Sequence, residues 1–205
     1  VVVVGGGNTG LTAAYLLTVA GRSVALLERD RCAAVDTGHT SAHLTMVTDV
    51  RLGELEKRFG RSHAQAAWDA GLAAMAQIDA IVRKEQIDCG LEWIDGYLHA
   101  PGPDASKEDL ESLKEEAHLA LELGFDATFV PSVPFMGVPG IRFESQGRFH
   151  PRRYLAGLAH AIQERGGQIF EHSGVEEFVE KPLGVKARGH LVQCRDVVIA
   201  THNPL

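Results

Sequence analysis

The chain has 205 residues, 45% of them hydrophobic and 23% charged, with 20 basic against 27 acidic side chains and a net charge of −7. That composition can close a sizeable core as one domain, or as one domain carrying an insertion, and its bulk charge provides no surface for nucleic acid. Cys32, Cys89 and Cys194 are odd in number, widely spaced and without a CxxC pair, which argues against a disulfide framework and for free thiols in a reducing, cytoplasmic compartment; no metal-ligand set is expected.

Val1 to Val4 is a β-branched run bounded by glycine, the pattern of a strand covered on both faces in a parallel sheet. Gly5-x-Gly7-x-x-Gly10 follows, the dinucleotide fingerprint: Gly5 for the tight turn, Gly7 for backbone approach to a pyrophosphate, Gly10 for packing of the helix on the strand. Asn8 and Thr9 complete the turn, where unpaired N–H groups at a helix N-terminus favour phosphate. The apolar run Leu11 to Ala20 is broken by Thr12 and Thr18, so it reads as that helix and not as a membrane span. A second strand, Ser23 to Leu27, ends at Glu28, 18 residues after Gly10, where a carboxylate can accept hydrogen bonds from an adenosine ribose, with Arg29 beside it. Because the chain starts inside a strand, a few N-terminal residues are expected to precede it.

From Arg29 to Thr45 the sequence is small, hydroxylated and aperiodic. In it Thr37, Thr40 and Ser41 offer hydroxyl donors and Gly38 close backbone approach to a second part of a cofactor, against the plainer reading of a solvated loop. Thr48 or Asp49 can cap a helix that runs to Phe59 and stops at Gly60; Ser62 can cap a longer one to about Glu85, with Ala67, Gly71, Ala74, Ile78, Ile81 and Val82 on its apolar face. Asp95-Gly96 within the alternating stretch 90–100 predicts a β-hairpin flanked by Trp93 and Tyr97, which are read as packing residues ahead of pocket residues. Ser106-x-x-Asp109 opens an amphipathic helix ending at Gly124, and three prolines within 131–140 mark a connection. Gly140 to Glu144 is expected as a strand, Pro151 starts a helix ending at Gly166-Gly167, and strands follow at 168–172, 175–179 and 196–201, with a turn at Arg188-Gly189.

These residues together resemble the FAD-dependent oxidoreductases of the D-amino-acid oxidase type, including glycine and sarcosine oxidases and γ-glutamylputrescine oxidoreductase. The resemblance rests on Gly5 to Gly10 with Glu28, on Thr37-Gly-His-Thr-Ser41, on Gly147-x-x-x-Pro151, on Gly166-Gly-x-Ile-x-Glu171 followed by Val175, and on Val-Val-Ile-Ala-Thr201. It implies an α/β fold: a Rossmann-like FAD-binding domain with a parallel sheet, from residues 1–45 and 140–205, interrupted at 46–139 by a mostly helical, substrate-side insertion carrying the hairpin. It further implies that Thr37, Gly38, His39, Thr40 and Ser41 run along the pyrophosphate and flavin, that the backbone at Val175 pairs with adenine, and that Ala200 and Thr201 lie under the cofactor. His202 stands where the family has glycine. With Thr-Gly-His-Thr-Ser-Ala-His43 it is similar to the bacterial subgroup with a C-terminal Rieske iron–sulfur domain, which implies such a domain beyond Leu205.

The implied activity is oxidation of the C–N bond of a small amine or amino acid, with hydride passing to flavin and no side chain of this stretch assigned as catalytic. His39 and His43 are read as hydrogen-bonding or packing residues before catalysts, and covalent flavin attachment through either has no support in the sequence. The family's second half has no match here, so the chain is expected to be the N-terminal half of a longer protein. A nicotinamide dehydrogenase stays open on Glu28 alone, as does a non-catalytic nucleotide-binding module. The loop after Glu28 favours FAD.

Overall fold

In the computed structural model, residues 1–34 and 36–202 are described; Val35, in the loop after Glu28, and 203–205, at the end of the expected half-protein, lie outside them. The elements in chain order are β1 (Val2–Val4), α1 (Asn8–Val19), β2 (Ala25–Leu27), a 3-10 turn (Asp36–His39), β3 (His43–Leu44), α2 (Leu52–Phe59), α3 (Arg61–Lys84), β4 (Glu92–His99), α4 (Lys107–Glu122), β5 (Ala127–Val130), β6 (Gly140–Arg148), α5 (Pro151–Glu164), β7 (Gln168–Phe170), β8 (Val175–Glu180), β9 (Leu183–Ala187), β10 (His190–Gln193) and β11 (Val197–Ile199). They fall into two compact units, one from 1–41, 82–89 and 150–205, the other from 42–81 and 90–149.

The first unit is built on a parallel sheet of order β11-β1-β2-β7, in register Val2↔Val197 and Val2↔Ala25 across β1. Side chains alternate between its faces. Val2, Val4 and Leu27 pack with Val185 and Ala187 of the antiparallel sheet β10-β9-β8. Val3 and Leu26, both fully buried, point the opposite way, and α1 and α5 pack on the sheet and on each other through Leu11, Ala14, Tyr154, Leu155 and Leu158. Burial on both faces is what the unbroken valine run requires. Arg188-Gly189 is the two-residue turn of the β9–β10 hairpin; both residues have positive φ, which matches the twist of the strands.

In the second unit β6 is central. β4 runs along one edge, while β3 and β5 share the other, β3 pairing near Arg148 and β5 near Gly140. Trp68 of α3 fills the core, edge-on to Phe125 and Phe143 at 5.2 and 5.6 Å, with its indole N–H donating to Thr48 Oγ1 at 3.2 Å. Burying a side chain of that size stabilises by about 3 kcal/mol.

Several expectations are corrected here. Asp95-Gly96 makes no hairpin: β4 is one strand with a bulge between Ile94 and Gly96, Trp93 and Tyr97 lie along it, and a Cβ at Gly96 would stand 2.8 Å from Gln146 Cγ. Glycine serves close approach there, not a turn. The stretch 46–139 is mostly helical, in α2, α3 and α4, and it supplies β4 and β5 as well. Its boundary also moves: 42–45 and 140–149 belong with the second unit through β3 and β6, and 82–89 with the first. On α3 the buried positions are Ala64, Trp68, Met75 and Ile81, while Ala67 and Ala74 are exposed; the larger Trp68 and Met75 turn the helix. Neither Thr48 nor Asp49 caps α2. Glu116 of α4 does, accepting from the N–H groups of Leu52 at 2.6 Å and Gly53 at 3.1 Å. The Ser106–Asp109 capping box and the Pro151 start are present as read.

Candidate functional site

The turn between β1 and α1 is fixed by its surroundings. Gly5 has φ +109° and donates its N–H to Leu27 O at 2.8 Å; a Cβ there would lie 2.6 Å from Ala200 O. At Gly10 a Cβ would lie 1.8 Å from Gly5 O. Both glycines are therefore demanded by the protein's own backbone. Gly7 differs, since the one atom near a Cβ there is Thr37 Oγ1 at 3.3 Å, the end of a side chain and not backbone. Gly7 is also the N-cap of α1: it is extended, no side chain among the described residues caps the helix, and the first turn holds no acidic residue. The helix start thus presents bare N–H groups and the positive end of its dipole.

That end opens onto a cavity of about 450 Å3. Of the residues singled out from sequence, Gly5, Gly7, Asn8, Thr9, Glu28, Arg29, Thr37, Val175, Ala200 and Thr201 line it. Gly10 sits behind the turn. Gly38 packs against Ala33, where a Cβ would come within 2.2 Å of the carbonyl oxygen, and His39, Thr40 and Ser41 are not among the lining residues. His43 lies on β3 in the second unit, opposite Arg148. Sequence reasoning did not assign Gly6, Arg31, Ala33, Ala34 and Gly174, all of which line the cavity, and His202, noted only as a departure from the family, lines it too. Gly174 had a signal in its place immediately before Val175. The aperiodic loop gave none for Arg31, Ala33 or Ala34.

Glu28 already holds two backbone donors: Oε2 accepts from Gly6 N at 2.6 Å and Oε1 from Asp30 N at 2.8 Å. A carboxylate has about four acceptor positions, so capacity remains for hydroxyl groups of a ligand. Arg29 and Arg31 make no ion pair with a described residue, which leaves their positive charge to the cavity. Cys32 behind the turn has its thiol pushed up to about 12 by burial and by the neighbouring Glu171 and Glu28 carboxylates, so it stays protonated. α1 is anchored at its middle: Tyr15 donates to Glu85, and Arg165 donates to both oxygens of the same carboxylate at 2.8 and 2.9 Å. Bare amides, two guanidinium groups with no ion pair among the described residues and a carboxylate with free acceptor capacity around one cavity suit a ligand that joins phosphate to a ribose, as the ADP half of a dinucleotide does.

Comparisons with known proteins agree with that chemistry. The chain is 31% identical over 210 residues to the putative Rieske 2Fe-2S iron-sulfur protein YhfW of Bacillus subtilis, covering 100% of this chain and 40% of that protein. It is 29% identical over 209 residues to γ-glutamylputrescine oxidoreductase of Escherichia coli, covering 98% of this chain and 48% of that one. The chain thus spans less than half the length of these curated relatives. Among solved structures, glycine oxidase from Geobacillus kaustophilus shares the fold with a TM-score of 0.80 at 17% identity, over 98% of this chain and 54% of that one. Residues 1–203 match the family described as FAD dependent oxidoreductase (DAO), and the chain belongs to that FAD-dependent family.

Proposed function

We propose that this chain supplies the FAD-binding unit of an oxidoreductase acting on the C–N bond of a small amine or amino acid. The observation that carries the reading is the uncapped start of α1 at Gly7, opening onto the cavity that Thr37, Val175 and Ala200 also line. In this reading the amides from Gly7 to Thr9 and the arginines Arg29 and Arg31 hold the pyrophosphate, and the remaining acceptor capacity of Glu28 takes the ribose hydroxyls. The backbone of Val175 meets the adenine. Thr37 and the segment Gly38, His39, Thr40 and Ser41 lead toward the flavin end, with Ala200 and Thr201 beneath. Gly5 and Gly10 hold the shape of the turn. Bound FAD supplies a two-electron acceptor for hydride from the carbon bearing nitrogen. This chain's residues bind and orient it, and no side chain here is given the role of catalytic base.

The names of two similar proteins, γ-glutamylputrescine oxidoreductase and glycine oxidase, support an amine or amino acid as substrate class. The name of the B. subtilis relative supports a Rieske 2Fe-2S centre in the whole protein, and in this reading that centre takes the electrons. The purified full-length protein is expected to be yellow and to bleach anaerobically when a secondary amine or amino acid is added. An iron–sulfur signal by electron paramagnetic resonance would then follow in the reduced protein. A colourless preparation that takes up no FAD, or Gly7→Val protein with undiminished flavin, overturns the reading.

A further inference from the structure

We propose that Glu171 is a positioning residue for the cofactor turn, acting across the sheet through Cys32 and Ala33; this deepens the FAD-binding reading and rests on it. Gly6, in the middle of the turn, is tied by both of its backbone groups. Its N–H donates to Glu28 Oε2 at 2.6 Å, and its carbonyl accepts from Ala33 N at 3.0 Å. The second tie holds only if the loop after Glu28 keeps its place, and Ala33 is held with φ +60°, which an alanine adopts only when its surroundings impose it.

Glu171 provides that constraint. Its Oε1 accepts from the Cys32 N–H at 2.8 Å, one residue before Ala33 and 139 positions away in sequence. Glu171 is in turn fixed by the continuation of the β2–β7 pairing, in which His172 N donates to Asp30 O and Ser173 N to Glu28 O, each at 2.7 Å. The Cys32 side chain lies close behind Gly6: a Cβ on Gly6 would stand 2.8 Å from its sulfur. Burial first, and then the Glu171 carboxylate, push the Cys32 thiol up. The chain of contacts Glu171, Cys32, Ala33, Gly6 therefore joins the end of β7 to the amides at the start of α1. A charge-assisted bond to a backbone N–H that keeps a loop in place acts on ligand affinity by avoiding the ordering cost of the loop on binding.

The test uses full-length apoprotein titrated with FAD, followed by flavin fluorescence, together with the alkylation rate of Cys32 by iodoacetamide, read at the Cys32 peptide by mass spectrometry. The thiol is reachable through a cleft of about 360 Å3 lined by Cys32, Glu171, Arg152 and Leu155. Glu171→Ala is expected to weaken FAD binding on the order of tenfold, with a melting temperature unchanged within about 2 °C, while Glu171→Gln, which keeps an acceptor, loses less. Cys32 should alkylate several times faster in both variants, since the neighbouring negative charge is gone. Unchanged FAD affinity in Glu171→Ala overturns the proposal when Gly7→Val still abolishes binding. A fall in melting temperature that accounts for the whole loss of affinity also overturns it, because Glu171 would then be a packing residue. If Gly7→Val binds FAD normally, the cofactor reading fails first and this proposal with it.

Discussion

The carbonyl oxygen of Gly5 occupies the position from which a side chain at Gly10 would have to start: a Cβ on Gly10 would lie 1.8 Å from it, whereas at Gly7 the nearest atom is Thr37 Oγ1 at 3.3 Å. The fingerprint glycines therefore answer to different demands, two to the fold and one to a ligand. Gly10→Ala should force strand and helix apart and cost about 3 kcal/mol, since a backbone carbonyl cannot yield as a side chain can. Gly7→Ala should melt close to wild type and lose flavin. Thermal melts of the apoproteins beside flavin content separate the two, and equal destabilisation by both would contradict the distinction.

Glu85 ties α1 to α5, and its side chain is only 9% exposed. Burial alone would raise its carboxyl, but the Tyr15 hydroxyl and the Arg165 guanidinium hold it below its ordinary 4.5. Because the folded value is depressed, the stability this carboxylate contributes is present above about pH 4.5 and is lost as the pH falls through the lower folded value. Tyr15 behaves oppositely. Burial first, and the Glu85 bond second, raise it from 10.0 to about 12, so its contribution is present below pH 10 and lost as the pH rises toward 12. Glu85→Gln should lower stability at pH 7 by about 2 kcal/mol and flatten the acid limb of a plot of melting temperature against pH. An acid limb of unchanged slope would contradict the assignment.

Glu116 is 6% exposed, and its carboxylate closes the start of α2 from a different helix. Removing it strands the buried N–H of Leu52 and the half-buried N–H of Gly53 and leaves a void, so Glu116→Ala should cost about 3 kcal/mol in urea denaturation. Glu116→Gln keeps an acceptor and loses the charge, for a cost of about 1 kcal/mol. The two variants falling together would show that the charge, not the geometry, carries the cap.

Gly96 faces Gln146, a fully buried side chain whose Oε1 accepts from Thr45 Oγ1 and Met46 N while its Nε2 donates to Glu144 O. A methyl at 96 would displace that amide from three bonds. Gly96→Ala is expected to lower the melting temperature by several degrees, about 2 kcal/mol, without changing cofactor content. A neutral Gly96→Ala would mean that Gln146 can turn aside freely.

What the sequence made legible was local chemistry. The valine run, the glycine turn, Ser106 with Asp109, Pro151 and Arg188-Gly189 each carry their instruction within a few residues, and each stands in the structure where it was read. Asp95-Gly96 carries an equally strong local signal, and it was overridden because β6 pairs with β4 on both sides of it. The cap of α2 could not be read at all, since Glu116 lies 64 positions from Leu52. In the candidate site, the glycines, Glu28 and Thr37 were accessible through motif and spacing. Arg31 and Ala33 were not, because a loop held by long-range bonds leaves no periodicity in the sequence.

The pairing of Val2 with Val197 sets an order of events for a chain emerging from the ribosome. The strand that opens the sheet waits for a neighbour 195 positions later (197 minus 2). At roughly 5–20 residues per second that is a wait of about 10–40 s. During it one edge of β1 has no partner, and Ala200, which closes over Gly5, has not yet been synthesised. The cavity at the head of α1 is therefore among the last parts of the first unit to take shape during translation, although its glycines are among the first residues made.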